Sequence, residues 1–281
     1  MQKRISQLLW LLPFCLQSAD ALAWGLYTHV YFAQLLVWAI PLLDPRFHRA
    51  ARSLPHLVMA GACLPDLSLV GKYADTHAFN DTHLWHIANK LLHAAEEDEE
   101  RALALGYTSH LLVDVIAHNH FVPAHETMWI NFPMVTHVIS EWAMDAHIAP
   151  QLFATPGKLL KHRSGLIAPF VADHFDCSRA QAENALNKLA NADKGLRMSR
   201  IPQTLYHSAR LIDLRLRKRF DYYIDETSTR LRQINRVLEG DEPAWQAELL
   251  CEETKRARMQ RYSVQEIRLG LPLPHDLFGE A

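Results

Sequence analysis

Long apolar runs separated by short polar or proline-bearing breaks predict a succession of buried helices. Residues 24–40 (WGLYTHVYFAQLLVWAI) read as the first, ended by Pro41, because proline lacks the N–H a helix interior needs. A short polar helix follows from Asp44. An apolar one runs from about Pro55 to Ala62, and proline suits its first turn. Leu64-Pro65-Asp66 breaks that helix and is expected to present Asp66 in a loop. Residues 72–82 are polar and predict a loop, His83 to Ala95 a helix, and Glu96–Arg101 an acidic, solvated helix terminus. Leu103 to Ile116 is the central buried helix, and Phe121-Val122-Pro123 predicts a helix end.

Met128, Trp129, Phe132 and Met134 form an apolar group read as core in preference to a lipid-facing rim. Beyond Glu141 the helical character persists. Loops are expected at Gln151–Gly157 and around Asn191–Gly195, and one long helical pattern over Ser208–Leu238. That pattern carries eight Arg and Lys residues, offset by Asp213, Asp221, Asp225 and Glu226. It reads as a helix packed on one side and solvated on the other, although a basic amphipathic helix can also lie on an anionic membrane. The tail from Gly270 is Pro- and Gly-rich and predicts extended chain. No repeat, phosphate-binding Gly-rich loop or G-x-S-x-G elbow is present.

Composition supports an all-α reading. Of 281 residues, 49% are hydrophobic and only 10 are glycine. A formal net charge of −2 offers no bulk attraction for nucleic acid. The four cysteines contain no C-x-x-C pair, which excludes a zinc ribbon or thioredoxin-like redox pair on spacing. One disulfide among Cys63, Cys177 and Cys251 is open, with no basis in sequence for choosing it.

Histidine changes the picture. Ten of 17 lie between His77 and His147, interleaved with the apolar residues of the central helix. Two spacings stand out: His110-x3-Asp114-x5-His120 and His137-x3-Glu141. Residues four apart share a helix face, so each pattern aims an imidazole and a carboxylate at one point. Two helices doing this build a metal site in a bundle core, and the donors suit zinc. A buried carboxylate without a partner or a cation is costly. The third central position is open, because His118 keeps the face of Asp114 while His120 has a longer spacing.

At the N-terminus, Lys3 and Arg4 precede an apolar run from Ile5 to Leu16 and the small-x-small triplet Ala21-Leu22-Ala23. This is the pattern of a secretory signal peptide over residues 1–23, with an export route to the periplasm or medium. The run is too short to span a bilayer comfortably, and Phe14 before Cys15 is too bulky for lipid attachment. Cleavage would make Trp24 the first residue, whose free amine and carbonyl could chelate a cation together with His29.

The ordered set resembles the zinc-dependent phospholipases C and their relatives, the single-strand-specific fungal nucleases. The resemblance implies an all-α multi-helix bundle over residues 24–281, ligands within 24–142, and a helical extension from about 150 to 281. It implies three zinc ions held by Trp24, His29, Asp66, His83, His110, Asp114, His120 (with His118 in reserve), His137 and Glu141. His77 and His86 compete with His83. Glu141 is the phospholipase form of its position; the W-x4-H spacing of Trp24 and His29 is that of the nuclease branch. The implied reaction is hydrolysis of a glycerophospholipid to diacylglycerol and a phosphorylated head group. A zinc-bound hydroxide would attack, oriented or deprotonated by Asp66, at a transient membrane contact. The rivals are a single-strand nuclease or nucleotidase with the same three zincs, and a secreted metal-binding protein without turnover. No excess of basic charge or ribbon of stacking aromatics favours nucleic acid as partner.

Overall fold

A computed structural model describes residues 25–129, 133–245 and 259–279, apart from the side chains of 133 and 134. The described residues contain helices and turns and no strand, so the all-α expectation holds.

The first helix, α1 (Leu26–Ala39), ends one residue short of the expected break at Pro41. Next come α2 (Pro45–Ser53), whose N-cap is Asp44, and α3 (Pro55–Gly61) with proline in its first turn. A 3-10 turn, Pro65–Leu69, follows. Asp66 therefore sits in a buried turn rather than an open loop. α4 is Trp85–Ala94 and α5 is Asp98–Ile116. The acidic run Glu96–Arg101 is the start of α5: Glu97 and Glu100 form a capping box with each other's backbone N–H, and the acidic first turn suits the positive helix end.

Three sequence expectations are corrected. Phe121-Val122-Pro123 does not end the helical path. A π-helical turn, Ala117–Phe121, continues α5 directly into α6 (Val122–Met128), and Pro123 lies in the first turn of α6, where its missing N–H costs nothing. Asn191–Gly195 lies inside α10 (Arg179–Ser199), not in a loop. Asn191, Lys194 and Gly195 face solvent, while Asp193 turns inward to pair with Arg197 and Leu186, Leu189 and Ala190 are buried. Ser208–Leu238 is not one helix; it is divided into α11 (Ile201–Ile212), α12 (Leu216–Arg230) and α13 (Ile234–Leu238), with Asp213 leaving the helical conformation. The remaining helices are α7 (Pro133–Ile148), α8 (Pro156–His162), α9 (Ser164–His174) and α14 (Val264–Leu269). The tail from Gly270 is irregular and buries Leu271, Leu273 and Leu277.

One apolar core runs from Leu26 to Leu277, with α5 at its centre; every residue from Ala102 to Ile116 is buried. Trp129 packs against this core, and Met128 against a smaller cluster of Ala124, Met259, Ile267 and Leu271. Phe132 lies outside the described residues. Cys63 and Cys177 are free thiols, so neither takes part in the open disulfide; Cys251 lies outside the described residues.

The close crossing of α3 over α5 depends on two glycines. A Cβ on Gly106 would collide with the Val58 carbonyl oxygen, and one on Gly61 with the Leu103 carbonyl. These are backbone atoms that cannot swing aside. Gly106→Ala should therefore destabilise the chain by roughly 3 kcal/mol in urea unfolding. Gly195→Ala, exposed on α10 with nothing near its Cβ position, should stabilise it by roughly 0.5–1 kcal/mol. Equal effects of the two would refute a backbone-limited crossing.

Candidate metal centre

The α3–α5 contact does more than fill space. It sets the Ala62 carbonyl oxygen 2.8 Å from His110 Nδ1. A carbonyl can only accept, so Nδ1 carries the proton and Nε2 turns inward as a lone pair. His83, just before α4, is oriented in the same way. The Thr82 hydroxyl donates to the Pro65 carbonyl oxygen at 2.6 Å and sits 3.4 Å from His83 Nδ1 as its acceptor. Tyr107 on α5 donates to the Thr82 carbonyl, which fixes the turn. The result places His83 Nε2 and His110 Nε2 3.3 Å apart.

Asp114 is the hub. Its Oδ2 lies 3.0 Å from His110 Nε2 and 3.7 Å from His83 Nε2. Its Oδ1 lies 3.3 Å from His29 Nε2 and 3.8 Å from His118 Nε2. His29, on α1, stacks on His110 with ring centroids 3.5 Å apart. Asp66 Oδ1 is 3.8 Å from His83 Nε2 and 4.0 Å from His110 Nε2. On α7, His137 Nε2 lies 2.8 Å from Glu141 Oε1, and His137 faces the ring of His118. Three sets thus have donor atoms mutually within 4.8 Å: His29, His110 and Asp114; Asp66, His83 and His110; His118, His137 and Glu141. All of these side chains are buried.

Of the residues singled out in the sequence, the structure gathers His29, Asp66, His83, His110, Asp114, His118, His137 and Glu141. His120 falls outside the three sets and packs against Trp245. The π-helical turn accommodates both histidines: His118 stays one turn beyond Asp114, and His120 is carried further round the helix. π turns recur at functional positions. Of the competitors of His83, neither His77 nor His86 joins a set. Trp24 lies outside the described residues.

Charge shows what the pocket lacks. Burial pushes the Asp66 carboxyl up to about 8 and that of Glu141 up to about 7. Burial, then neighbouring His110, pushes His83 down to about 3. Burial also pulls down His110, but Asp114 and Asp66 outweigh it and hold that imidazole above its usual value. Burial opposes ionisation of Asp114, yet His110 and His29 hold it well below the carboxylate range. Asp66 Oδ1, both oxygens of Asp114, Glu141 Oε1 and both ring nitrogens of His29 are buried with no hydrogen bond among the described residues. So many converging carboxylate oxygens and ring nitrogens, with only imidazole protons to share among them, are costly. Divalent cations would satisfy them, and imidazole with carboxylate is a donor set that zinc accepts.

One residue was missed in the sequence. Asp145 follows Glu141 by four, extending the α7 pattern to His137-x3-Glu141-x3-Asp145. It is fully buried and accepts from the backbone N–H and hydroxyl of Thr28, at 2.9 and 2.8 Å. Arg197 of α10 also pairs with it. Gly25 abuts this carboxylate so closely that any Cβ would collide with it. Asp145 thus pins the start of α1, and with it His29. The i+4 spacing was the available signal. A cavity of about 990 Å³ beside Tyr27, Lys158 and Arg197 is lined by none of the clustered donors.

A model of the family described as zinc dependent phospholipase C matches residues 28–204. The match is more than half of the chain and runs well past Glu141, through α8–α10 into α11. No curated protein and no solved structure matches the chain.

Proposed function

Since the chain belongs to the zinc dependent phospholipase C family, we propose that it is a hydrolase cleaving glycerophospholipids to diacylglycerol and a phosphorylated head group. The observation that carries this reading is that members of all three donor sets lie within 3.8 Å of Asp114, with buried oxygens and ring nitrogens that make no hydrogen bond among the described residues. Three zinc ions would divide these donors among them. Asp66, His83, His110 and Asp114 would hold one. His118, His137 and Glu141 would hold the second, with His120 the other candidate. His29 and Asp114, with the amine and carbonyl of a processed Trp24, would hold the third. When bound, zinc supplies Lewis acidity that polarises phosphoryl oxygens and acidifies water.

The remaining work falls to the protein. Ala62 and Thr82 fix the two imidazoles by their Nδ1 sides, so their orientation is set before substrate arrives. Asp66 sits at the edge of the cluster in the turn after α3 rather than at the hub. Its buried carboxylate suits the acceptance of a proton from the attacking water. The water oxygen forms the new P–O bond, the bond to the diacylglycerol oxygen breaks, and that oxygen takes a proton from solvent. Export after cleavage before Trp24, to the periplasm or medium, belongs to this reading. Among the described residues no helix is long and apolar enough to cross a membrane.

Purified protein should release p-nitrophenol from p-nitrophenyl phosphorylcholine and leave single-stranded DNA intact. The reverse preference would select the nuclease. Asp66→Asn should lower turnover by roughly 10²-fold or more while most of the zinc remains. Full activity in that variant would remove Asp66 as the base.

A further inference from the structure

The connection between α11 and α12 inverts the usual arrangement of a surface turn. Leu211, Ile212 and Leu214 are 83, 87 and 90% exposed, the highest values of any described large apolar side chain. Asp213, the polar residue among them, turns inward. Its carboxylate accepts from the Arg215 backbone N–H at 3.2 Å and from Trp129 Nε1 at 3.4 Å, and it pairs with buried Arg219. Arg219 Nε in turn donates to His125 Nε2 on α6 at 3.2 Å. The turn is therefore firmly rooted on the segment joining the two histidine–carboxylate motifs, and its aliphatic tip points into solvent. Folded chains rarely leave a contiguous aliphatic group in water without a use for it.

Cationic residues flank this tip along the chain. Arg210, Arg215, Arg217 and Lys218 are all exposed. Arg215 and Lys218 make no ion pair among the described residues, and Arg217 has only exposed Asp221 at 3.9 Å. From His207 to Arg219 five cationic side chains stand against one acidic, in a chain whose formal net charge is −2. We propose that this turn docks the protein on an anionic phospholipid bilayer: Leu211, Ile212 and Leu214 enter the acyl boundary while the four cations engage head-group phosphates. An exposed aliphatic tip flanked by exposed Arg and Lys matches an apolar layer lying beneath a negative surface. A protein interface core, by contrast, is enriched in aromatics, and none lies between His207 and Arg219. The choice of lipid as partner rests on the phospholipid-hydrolase reading above, but the binding it predicts is measured without turnover.

The test is co-sedimentation of the zinc-loaded full chain with vesicles of phosphatidylglycerol and phosphatidylcholine, and with pure phosphatidylcholine as comparison. Wild type should favour the anionic vesicles, and added salt should weaken that preference. The triple variant Leu211→Ser, Ile212→Ser, Leu214→Ser should lower partitioning about 100-fold. Arg215→Ser with Lys218→Ser should lower it roughly 30-fold. Both variants should hydrolyse the water-soluble p-nitrophenyl phosphorylcholine as wild type does. A triple variant that sediments like wild type overturns the proposal. So does a wild type that ignores anionic vesicles and instead self-associates through these residues in ultracentrifugation. If vesicle binding is lost as expected but wild type cleaves no phosphodiester, the docking surface stands and the hydrolase reading falls.

Discussion

Asp114→Asn is expected to strip the protein of most of its zinc and to lower phosphodiester hydrolysis by about 10³-fold or more. The substitution keeps the shape of the side chain and removes its charge. It also replaces one acceptor oxygen with an N–H donor, in a pocket where Oδ1 faces His29 and His118 and Oδ2 faces His110 and His83. Among the described residues, no other ion-pair partner reaches members of all three donor sets. Loss of an outer partner of a metal ligand already costs about 10- to 100-fold in affinity or activity, and a carboxylate shared between ions should cost more. Glu141→Gln makes the useful comparison. Glu141 serves only the set with His118 and His137, so that variant should lose one ion and keep the rest. Zinc per chain by mass spectrometry, with circular dichroism to confirm the fold, reads both. An Asp114→Asn protein with its full complement of zinc would show that Asp114 is not the shared ligand.

The hub was legible in the sequence because four-residue spacing on a helix is a geometric statement. His110 with Asp114 and His137 with Glu141 had to share faces once α5 and α7 formed. Asp145 obeyed the same spacing and went unread because it offers no donor to the cluster; its partners, Thr28 and Arg197, lie more than fifty positions away. The His118–His120 choice depended on a π turn, which no propensity announces: proline at position 123 reads equally as a stop or as the first turn of a new helix. Asn191–Gly195 looked like a loop because polar residues and glycine dominate locally, yet α10 gains its stability from the buried Leu186, Leu189 and Ala190 on its other face. The break at Asp213 is likewise tertiary. Arg219 and Trp129 engage its carboxylate where the chain leaves the helix.

Removing zinc with a chelator at pH 7.5 should lower the melting temperature by about 10 °C. A ligand present at a thousand times its dissociation constant contributes about 4 kcal/mol, and each kcal/mol is worth about 2–4 °C in a chain of this size. The stripped protein should also lose stability between pH 6.5 and 8. Asp66, pushed up to about 8 by burial, keeps its proton in the folded chain across a range where the unfolded chain has released it. The stability this contributes is complete below the ordinary carboxylate range, near ~4, and is lost as pH rises toward 8. Glu141 behaves alike up to about 7. His110, which its carboxylate neighbours hold above the usual imidazole value in spite of burial, adds a loss of the same sign above ~6.5. His83 and His29 oppose them, both lowered chiefly by burial, but only below ~6.5, where the unfolded imidazoles take up protons. In the window from 6.5 to 8 the shifts of Asp66, Glu141 and His110 therefore point one way. Asp66 alone contributes roughly 2 kcal/mol across it, at ~1.4 kcal/mol per pH unit. Bound cations replace these protons, and their affinity rises with pH, so the gap between loaded and stripped protein should widen from pH 6.5 to 8 in calorimetry. A stripped protein whose melting temperature rises over that window would mean that the buried carboxylates are satisfied by something other than metal.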